Sequence, residues 1–158
     1  MGAVDYMIWI DASPDQVWRV YVDPSRIPEW QTGSPVIEEM RGEAGQLSSS
    51  YVSRRRPGAA HTTVIDVDKP HLLMTRSEAY FGLRFDVTSS LTAQAGGTLL
   101  ELHVQTHWPR GARLLGKLVE AVILGQREGR KELAILKALI ESEQPGDLKP
   151  EETDAISS

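Results

Sequence analysis

The stretch GARLLGKLVEAVILGQREGRKELAILKALIESE, residues 111–143, decides the fold of this chain. Its apolar residues recur at steps of three and four, which places them on one stripe of an α-helix. Charged residues, Glu128 and Glu132 among them, are assigned to the opposite side, and no proline falls between Pro109 and Pro145. A helix of about 30 residues is roughly 45 Å long. It needs a broad surface to cover its stripe, so we predict that it lies on a sheet formed by the preceding chain.

The chain before this helix has the pattern of a curved antiparallel sheet. Residues 4–11 alternate apolar and polar side chains, as a strand does. Ser13-Pro14-Asp15 has the signature of a helix start with Ser13 as N-cap, and a second short helix or turn is expected at about 24–30. Six strand-like segments follow, with short breaks typical of hairpins, at residues 36–41, 47–56, 61–67, 72–78, 81–92 and 98–108. The predicted class is α+β, with about seven strands in the order β-α-α-β6-α around the C-terminal helix.

Composition indicates one soluble domain. Of 158 residues, 41% are hydrophobic and 25% charged, and the net charge of -5 argues against a general nucleic-acid partner. The absence of cysteine removes disulfides and thiolate catalysis and fits a reducing compartment. The most apolar window, residues 114–124, is too short to span a bilayer, and no secretory signal is visible. We expect a cytoplasmic protein without stable membrane insertion, with a domain over residues 1–143 and a disordered acidic tail over 144–158.

Two short motifs carry a family resemblance. IDASPDQVW, residues 10–18, resembles the opening "I-x-A-x-P-x-x-V-W/F" of the START and Bet v 1-like (SRPBCC) superfamily. Asp23 followed by IPEW, residues 27–30, is similar to its "D…W" segment. Within the superfamily the chain most resembles the bacterial polyketide cyclase/dehydrase-like group. The resemblance implies a helix-grip fold with a ligand cavity between the sheet and the long helix, and it implies no universal catalytic set.

The middle of the long helix predicts where such a cavity lies. Between Val122 and Leu133 the core-facing positions are Gln126 and Gly129. A small residue and an amide facing a sheet leave unfilled volume with a polar group in it, as a small-molecule pocket needs. The alternative is that Gly129 allows close packing against an aromatic ring. The expected ligand-binding residues are Trp30, Phe81, Phe85, Leu102, Trp108, Val122, Gln126 and Gly129.

Polar candidates on the predicted strands are few. Tyr51 is a candidate catalytic residue that would donate a hydrogen bond to a carbonyl or phenol. Arg76, if it points inward, would hold an enolate or carboxylate, and if outward it would pair with a neighbouring acid. In the run at residues 54–56, strand alternation directs at least one arginine towards the interior or its rim, where an acidic ligand group is one partner it could meet.

No metal or cofactor is expected. His103 and His107 are four residues apart, as in helical zinc sites, but their surroundings predict a strand in which four residues span about 13 Å. Two ligands at about 2 Å from one zinc ion cannot be so far apart. Neither a nucleophile elbow nor a glycine-rich phosphate loop occurs in the sequence.

Three functions remain open at this stage. One is an enzyme similar to polyketide cyclases or aromatases, which would bind a poly-β-ketone and steer its cyclisation and dehydration. Another is a non-catalytic carrier or sensor of a lipid, quinone or pigment. A module whose helix packs on a protein partner ranks last, because the apolar stripe is needed by its own sheet. The expected partner is a hydrophobic small molecule, and the oligomeric state is open between monomer and homodimer.

Overall fold

The computed structural model describes residues 2–55, 58–79, 82–109 and 126–143, except the side chains of 126 and 127. Its strands are β1 Gly2–Ile10, β2 Val36–Arg41, β3 Ser50–Arg55, β4 Gly58–Asp68, β5 Leu72–Ala79, β6 Arg84–Gln94 and β7 Gly97–His107. They form one sheet in the order β1-β7-β6-β5-β4-β3-β2. Every neighbouring pair is antiparallel. The predicted α+β helix-grip fold is thus confirmed.

The strand starts depart from the sequence prediction by three residues at β3, β4 and β6, and the loop before β3 shows why. The predicted segment began at residue 47, whereas β3 begins at Ser50. The intervening residues form turns, with the Gln46 amide donating to the Glu43 carbonyl and the Ser49 amide to the Gln46 carbonyl. Ser48 adopts a positive φ of 69°, which a strand does not allow. A polar serine run therefore extends the loop rather than the strand.

The helices begin where their caps predict. Helix α1, Pro14–Tyr21, starts at a capping box in which the Ser13 hydroxyl and the Gln16 side chain satisfy each other's backbone amides. A 3-10 turn, Pro24–Arg26, leads into the short α2, Ile27–Trp30. Helix α3, Gln126–Ser142, is the C-terminal part of the predicted long helix. Residues 111–125 and the predicted tail lie outside the described residues, and no described helix is both long and apolar enough to cross a membrane.

The hydrophobic core occupies one end of the sheet's inner face. There α1 and the second half of α3 pack on the sheet, with Leu136 and Leu100 fully buried. Gly97 at the start of β7 permits a close approach, because a Cβ atom there would lie 2.4 Å from the Ile10 carbonyl oxygen. The end of β1, at Trp9 and Ile10, therefore packs closely on the β6–β7 hairpin. The other end of the inner face is left for the cavity.

Candidate functional site

A cavity of about 1540 Å³ lies between the inner face of the sheet and the helices α2 and α3. Small-molecule sites commonly occupy about 300–1,000 Å³, so this one has room for a polycyclic or long ligand. Its walls are largely apolar. The described aromatic and large aliphatic lining residues are Tyr6, Tyr21, Trp30, Tyr51, Phe85, Trp108, Val22, Ile27, Met40, Val64, Leu73, Leu83, Val87, Leu102, Val104 and Leu133.

Most of the described residues expected at a ligand site do line this cavity. These are Trp30, Tyr51, Phe85, Leu102, Trp108 and Gly129. Phe81, Val122 and the side chain of Gln126 lie outside the described residues. The geometry brings together residues from α2, α3, three strands and the segment after β7, while their contact with a ligand stays a prediction.

Arg76 lies on the opposite face of the sheet, so the inward orientation considered for it is wrong. Its strand neighbours Thr75 and Ser77 line the cavity, and alternation along β5 directs Arg76 outward. There Nε and Nη2 donate to the Asp86 carboxylate at 2.9 and 3.0 Å. This hydrogen-bonded pair raises the pKa of Arg76 and lowers the pKa of Asp86. Arg76 is a surface ion-pair residue and is not a candidate for the site.

Two buried hydroxyl systems supply the polar groups of the cavity wall. The Tyr21 hydroxyl lies 2.6 Å from the Ser89 hydroxyl, and burial raises the pKa of Tyr21 to about 12. Tyr51 pairs with Thr62 in the register of β3 and β4, and burial raises the pKa of Tyr51. The Thr62 hydroxyl is in turn 2.7 Å from that of Ser77. Both phenols keep their protons near neutral pH, so they are hydrogen-bond donors rather than bases.

Gly129 serves both of the roles that its sequence position suggested. It lines the cavity, and a Cβ atom there would lie 2.6 Å from Cε1 and Cζ of the Tyr6 ring. The glycine therefore lets the ring of Tyr6 lie directly against the backbone of α3. Burial, followed by the charge of Glu132, raises the pKa of Tyr6.

Three residues form what we call the polar clasp: Thr32, Arg55 and Glu132. The Thr32 amide and hydroxyl donate to Glu132 Oε1 at 3.2 and 2.8 Å. Arg55 Nη1 donates to the Thr32 carbonyl at 2.9 Å and lies 3.7 Å from the same Oε1. Arg55 and Glu132 both line the cavity. The clasp thus joins β3, the loop after α2 and helix α3 beside the ligand space.

The arginine run behaves as strand alternation predicts. Arg55 turns towards the cavity. Arg54 points away from the cavity, and its Nε lies 2.5 Å from Glu38 Oε2 in an ion pair. Arg56 lies outside the described residues. Contact of Arg55 with an acidic ligand group stays a prediction.

Sequence reasoning missed Tyr6, Tyr21 and Glu132. Tyr6 and Tyr21 stand on the apolar faces of the first strand and the first helix, and a phenol on such a face is the usual source of a polar group in an apolar cavity. Glu132 was assigned to the solvent side of the helix, and this is wrong. It flanks Gly129 and Leu133 on α3, and its side chain is 20% exposed. Its position three residues after the core-facing glycine was the available signal.

The two histidines of β7 lie apart and bind different acids. His103 Nδ1 is 2.5 Å from an Asp5 carboxylate oxygen, and His107 Nε2 is 3.8 Å from Asp86. Among the residues that the structure describes, no group of three or more histidines and acids is arranged to hold a metal ion.

Comparison with known proteins places the fold in a family. A family model described as polyketide cyclase / dehydrase and lipid transport matches residues 1–141. The chain belongs to this family. It is part of the START/Bet v 1-like superfamily that the opening motif resembles. No match was found among curated proteins.

Solved structures with low sequence identity share the family's fold. Protein MLL2253 from Mesorhizobium loti is 19% identical, with 90% of this chain and 99% of that chain covered and a TM-score of 0.68. DynU16, from the dynemicin biosynthetic locus, is 19% identical with a TM-score of 0.65. The match covers 90% of this chain and 48% of that chain. Ara h 8.0201 is 12% identical, with coverages of 89% and 98% and a TM-score of 0.65. At these identities the likeness concerns the fold alone.

Proposed function

We propose that this family member binds a flat, hydrophobic small molecule carrying a few oxygen atoms. The observation that carries the proposal is the cavity of about 1540 Å³, whose apolar walls include Trp30, Phe85 and Trp108. Aromatic walls favour flat ligands, because stacked and edge-to-face ring contacts add to the burial of area. The phenols of Tyr21 and Tyr51 supply isolated polar anchors, which orient a ligand that apolar contacts alone would leave mobile.

The protonation states of the tyrosines beside the cavity favour binding of a ligand without its chemical conversion. Catalysis of cyclisation and dehydration needs a group that removes a proton as well as one that donates. The tyrosines buried beside the cavity have raised pKa values and hold their protons. The described carboxylates that line the cavity, Asp23, Glu128 and Glu132, belong to the helical side and not to the hydroxyl-bearing strands. A carrier or sensor of a quinone, pigment or lipid needs no such pair.

A cyclase or aromatase-like activity is the second candidate. The hydrogen-bonded pair Ser77 and Thr62 favours it, because Thr62 faces Tyr51 across β3 and β4 and neighbouring hydroxyls can polarise the phenol towards a ligand carbonyl. The family includes polyketide cyclases and dehydrases by its description, and DynU16 comes from a biosynthetic locus. Native mass spectrometry separates the two candidates. A ligand that stays bound unchanged supports a carrier, and its conversion to a cyclised product supports an enzyme.

Anthraquinone is a suitable probe for the binding proposal, because it is flat, tricyclic and carries two carbonyl oxygens. Thr75→Phe adds a ring to an inward position of β5, and both residues suit strands. We expect this change to lower the affinity for anthraquinone by about tenfold or more, since overfilling costs roughly 1–3 kcal/mol. Isothermal titration calorimetry measures the loss.

The matched control is Thr88→Phe, which makes the same change on the outward side of β6. Thr88 pairs with Met74 in the register and does not line the cavity. The affinity of the Thr88→Phe variant for anthraquinone should equal that of the unmodified protein. Equal affinity in both variants, or no binding to the unmodified protein, would contradict a ligand site in this cavity.

A further inference from the structure

Glu132 is a carboxylate with one occupied and one free oxygen. Its Oε1 accepts both hydrogen bonds from Thr32 and is the atom that Arg55 approaches. Its Oε2 has no hydrogen-bond partner among the residues that the structure describes. The Glu132 side chain is 20% exposed and lines the cavity, so a molecule in the cavity can approach Oε2. The open position is therefore a place for a donor supplied by another molecule.

The polar clasp holds this carboxylate in position. Thr32 fixes Oε1 by two hydrogen bonds, which leaves the rotation of the carboxylate determined. The aliphatic part of Arg55 lies over Gly33, where a Cβ atom would be 3.2 Å from Arg55 Cδ. Gly33 has a φ of +79°, a conformation that glycine adopts without strain. The clasp is thus a built arrangement beside the cavity, and not a mobile surface side chain.

The charges around the cavity indicate which ligands fit beside Glu132. The described lining residues include three carboxylates and two guanidinium groups. The carboxylates are Asp23, Glu128 and Glu132, and the guanidinium groups are Arg41 and Arg55. Arg55 is already engaged by Thr32 and lies near Glu132. An anionic ligand group beside Oε2 would meet the charge of Glu132, which Arg55 approaches at 3.7 Å on the Oε1 side, whereas a neutral hydroxyl would meet an acceptor.

We propose that Glu132 is the specificity-determining residue of the cavity, and that it selects neutral ligands with a hydroxyl group over their carboxylate or ether counterparts. Glu132 Oε2 accepts the ligand hydroxyl while the rest of the ligand lies along the apolar walls. This inference rests on the proposed binding function and adds the chemical class of the ligand's polar end. It separates hydroxylated aromatic ligands from fatty-acid-like ones.

Three matched anthraquinones test the inference: the 2-hydroxy, 2-methoxy and 2-carboxylate derivatives. At about pH 6 the hydroxyl keeps its proton and the carboxylic acid has lost it. We expect the unmodified protein to bind the 2-hydroxy compound about tenfold more tightly than the 2-methoxy compound, since a hydrogen bond to a charged group is lost. The 2-carboxylate should bind more weakly than the 2-hydroxy compound.

Glu132→Gln is the decisive variant. Its amide oxygen can still accept from Thr32, and its NH₂ group then turns a donor towards the cavity. The preference for hydroxyl over methoxy should disappear, and the affinity for the 2-carboxylate should rise. The matched control, Glu101→Gln, removes the same charge on the outer face of β7, where the side chain is exposed and does not line the cavity. It should leave the hydroxyl preference intact.

The outcomes separate this inference from the proposed function. If the unmodified protein binds all three compounds with no hydroxyl preference, or if Glu132→Gln retains the preference, the role of Glu132 is wrong and the cavity is still a binding site. If none of the three binds, the proposed function itself fails. An equal loss of preference in Glu101→Gln would mean that net charge acts, and would overturn the specific role of Oε2.

Discussion

Tyr51 is the residue at which the two candidate functions diverge. Burial raises the pKa of its phenol, and Tyr51 pairs in the register with Thr62, whose hydroxyl lies 2.7 Å from that of Ser77. If each hydroxyl donates to the next in the direction of Tyr51, the phenol proton is free for a ligand oxygen. The same donor would hold the carbonyl of a carried ligand or polarise that of a substrate. Arg76, paired with Asp86 on the opposite face, has no access to either.

Tyr51→Phe should therefore weaken anthraquinone binding, while Arg76→Ala should not. Loss of one neutral hydrogen bond corresponds to about threefold to tenfold in the dissociation constant. Phenylalanine preserves the ring packing, so the melting temperature of the variant reports whether the fold is intact. Calorimetry measures both affinities. A weaker affinity in Arg76→Ala, or an unchanged affinity in Tyr51→Phe, would refute these residue assignments.

The contact between Gly129 and Tyr6 couples helix packing to cavity shape. Alanine at 129 would favour the helix by about 1 kcal/mol. Its Cβ atom would also collide with the outer part of the Tyr6 ring at 2.6 Å. The ring is the end of a side chain and is only partly buried, so it moves more readily than backbone. Displacement of the ring takes volume from the cavity that both residues line.

Gly129→Ala is thus expected to change ligand affinity more than stability. The melting temperature should stay within about 3 °C of the unmodified protein, because helix propensity and ring displacement oppose each other. Affinity for anthraquinone should fall about tenfold. Tyr6→Ala in the same chain removes the collision and should restore most of the affinity, which a double-mutant cycle detects. Additive losses in the double variant would show that the ring and the glycine act independently.

At the scale of elements, helix α3 is fastened to the rest of the molecule by polar contacts at three levels. Glu132 binds Thr32 in the loop after α2. Lys137 Nζ donates to the Trp9 carbonyl at 2.9 Å and lies 5.1 Å from the Trp9 ring centroid. Glu143 binds the Arg26 guanidinium, which also donates to Glu29 at 2.8 Å. These contacts orient α3 over the sheet, so the height of the cavity depends on them.

The contact at the end of α3 should depend on pH. Hydrogen bonding to Arg26 lowers the pKa of both Glu143 and Glu29 in the folded protein. A carboxylate with a lowered pKa contributes stability above its unfolded-chain pKa of about 4.3. This contribution is lost as the pH falls through the folded value. Arg26→Met should accordingly reduce the urea midpoint at about pH 7, and the difference should close by about pH 3.

Arg19→Met is the control for that measurement, because Arg19 is exposed on α1 and has no described ion pair. Its midpoint should follow that of the unmodified protein at every pH. Surface pairs contribute little individually, so the informative quantity is the change of the difference with pH. A difference for Arg26→Met that is constant from neutral to acidic pH would mean that the arginine acts through packing alone.

Strands and helix starts were predictable where a single sequence pattern applied without a competing one. Period-two alternation identified β1, β6 and β7, strand-like segments between short breaks identified the other four strands, and the Ser13 cap identified α1. The start of β3 was not predictable, because three serines suit a loop and a strand surface equally. The position of Glu132 had only one weak signal, its spacing of three residues from Gly129. A charged residue on a helix is normally solvated, and only packing in three dimensions reveals that this one flanks a cavity.

At the scale of the whole molecule, the inner face of the sheet is divided between a packed core and a cavity. The opening motif and the order of elements were sufficient to predict the fold. The pairing of β1 with β7, which brings residues Gly2–Ile10 against Gly97–His107, involves the two most distant strands and has no local signal. The direction of Arg76 depends on β5 being aligned with β6 so that Arg76 faces Asp86. Apolar residues on both alternate sets of β5 concealed that alignment.

A crystal structure of the protein with anthraquinone tests the central claim most directly, since it locates the ligand without any inference from variants. We predict density for the ring system between the inner sheet face at Phe85 and Leu102 and helix α3 at Gly129. One carbonyl oxygen should lie within hydrogen-bond distance of the Tyr51 hydroxyl, about 2.6–3.0 Å. Density outside this cavity, or an empty cavity at saturating ligand, would contradict the account.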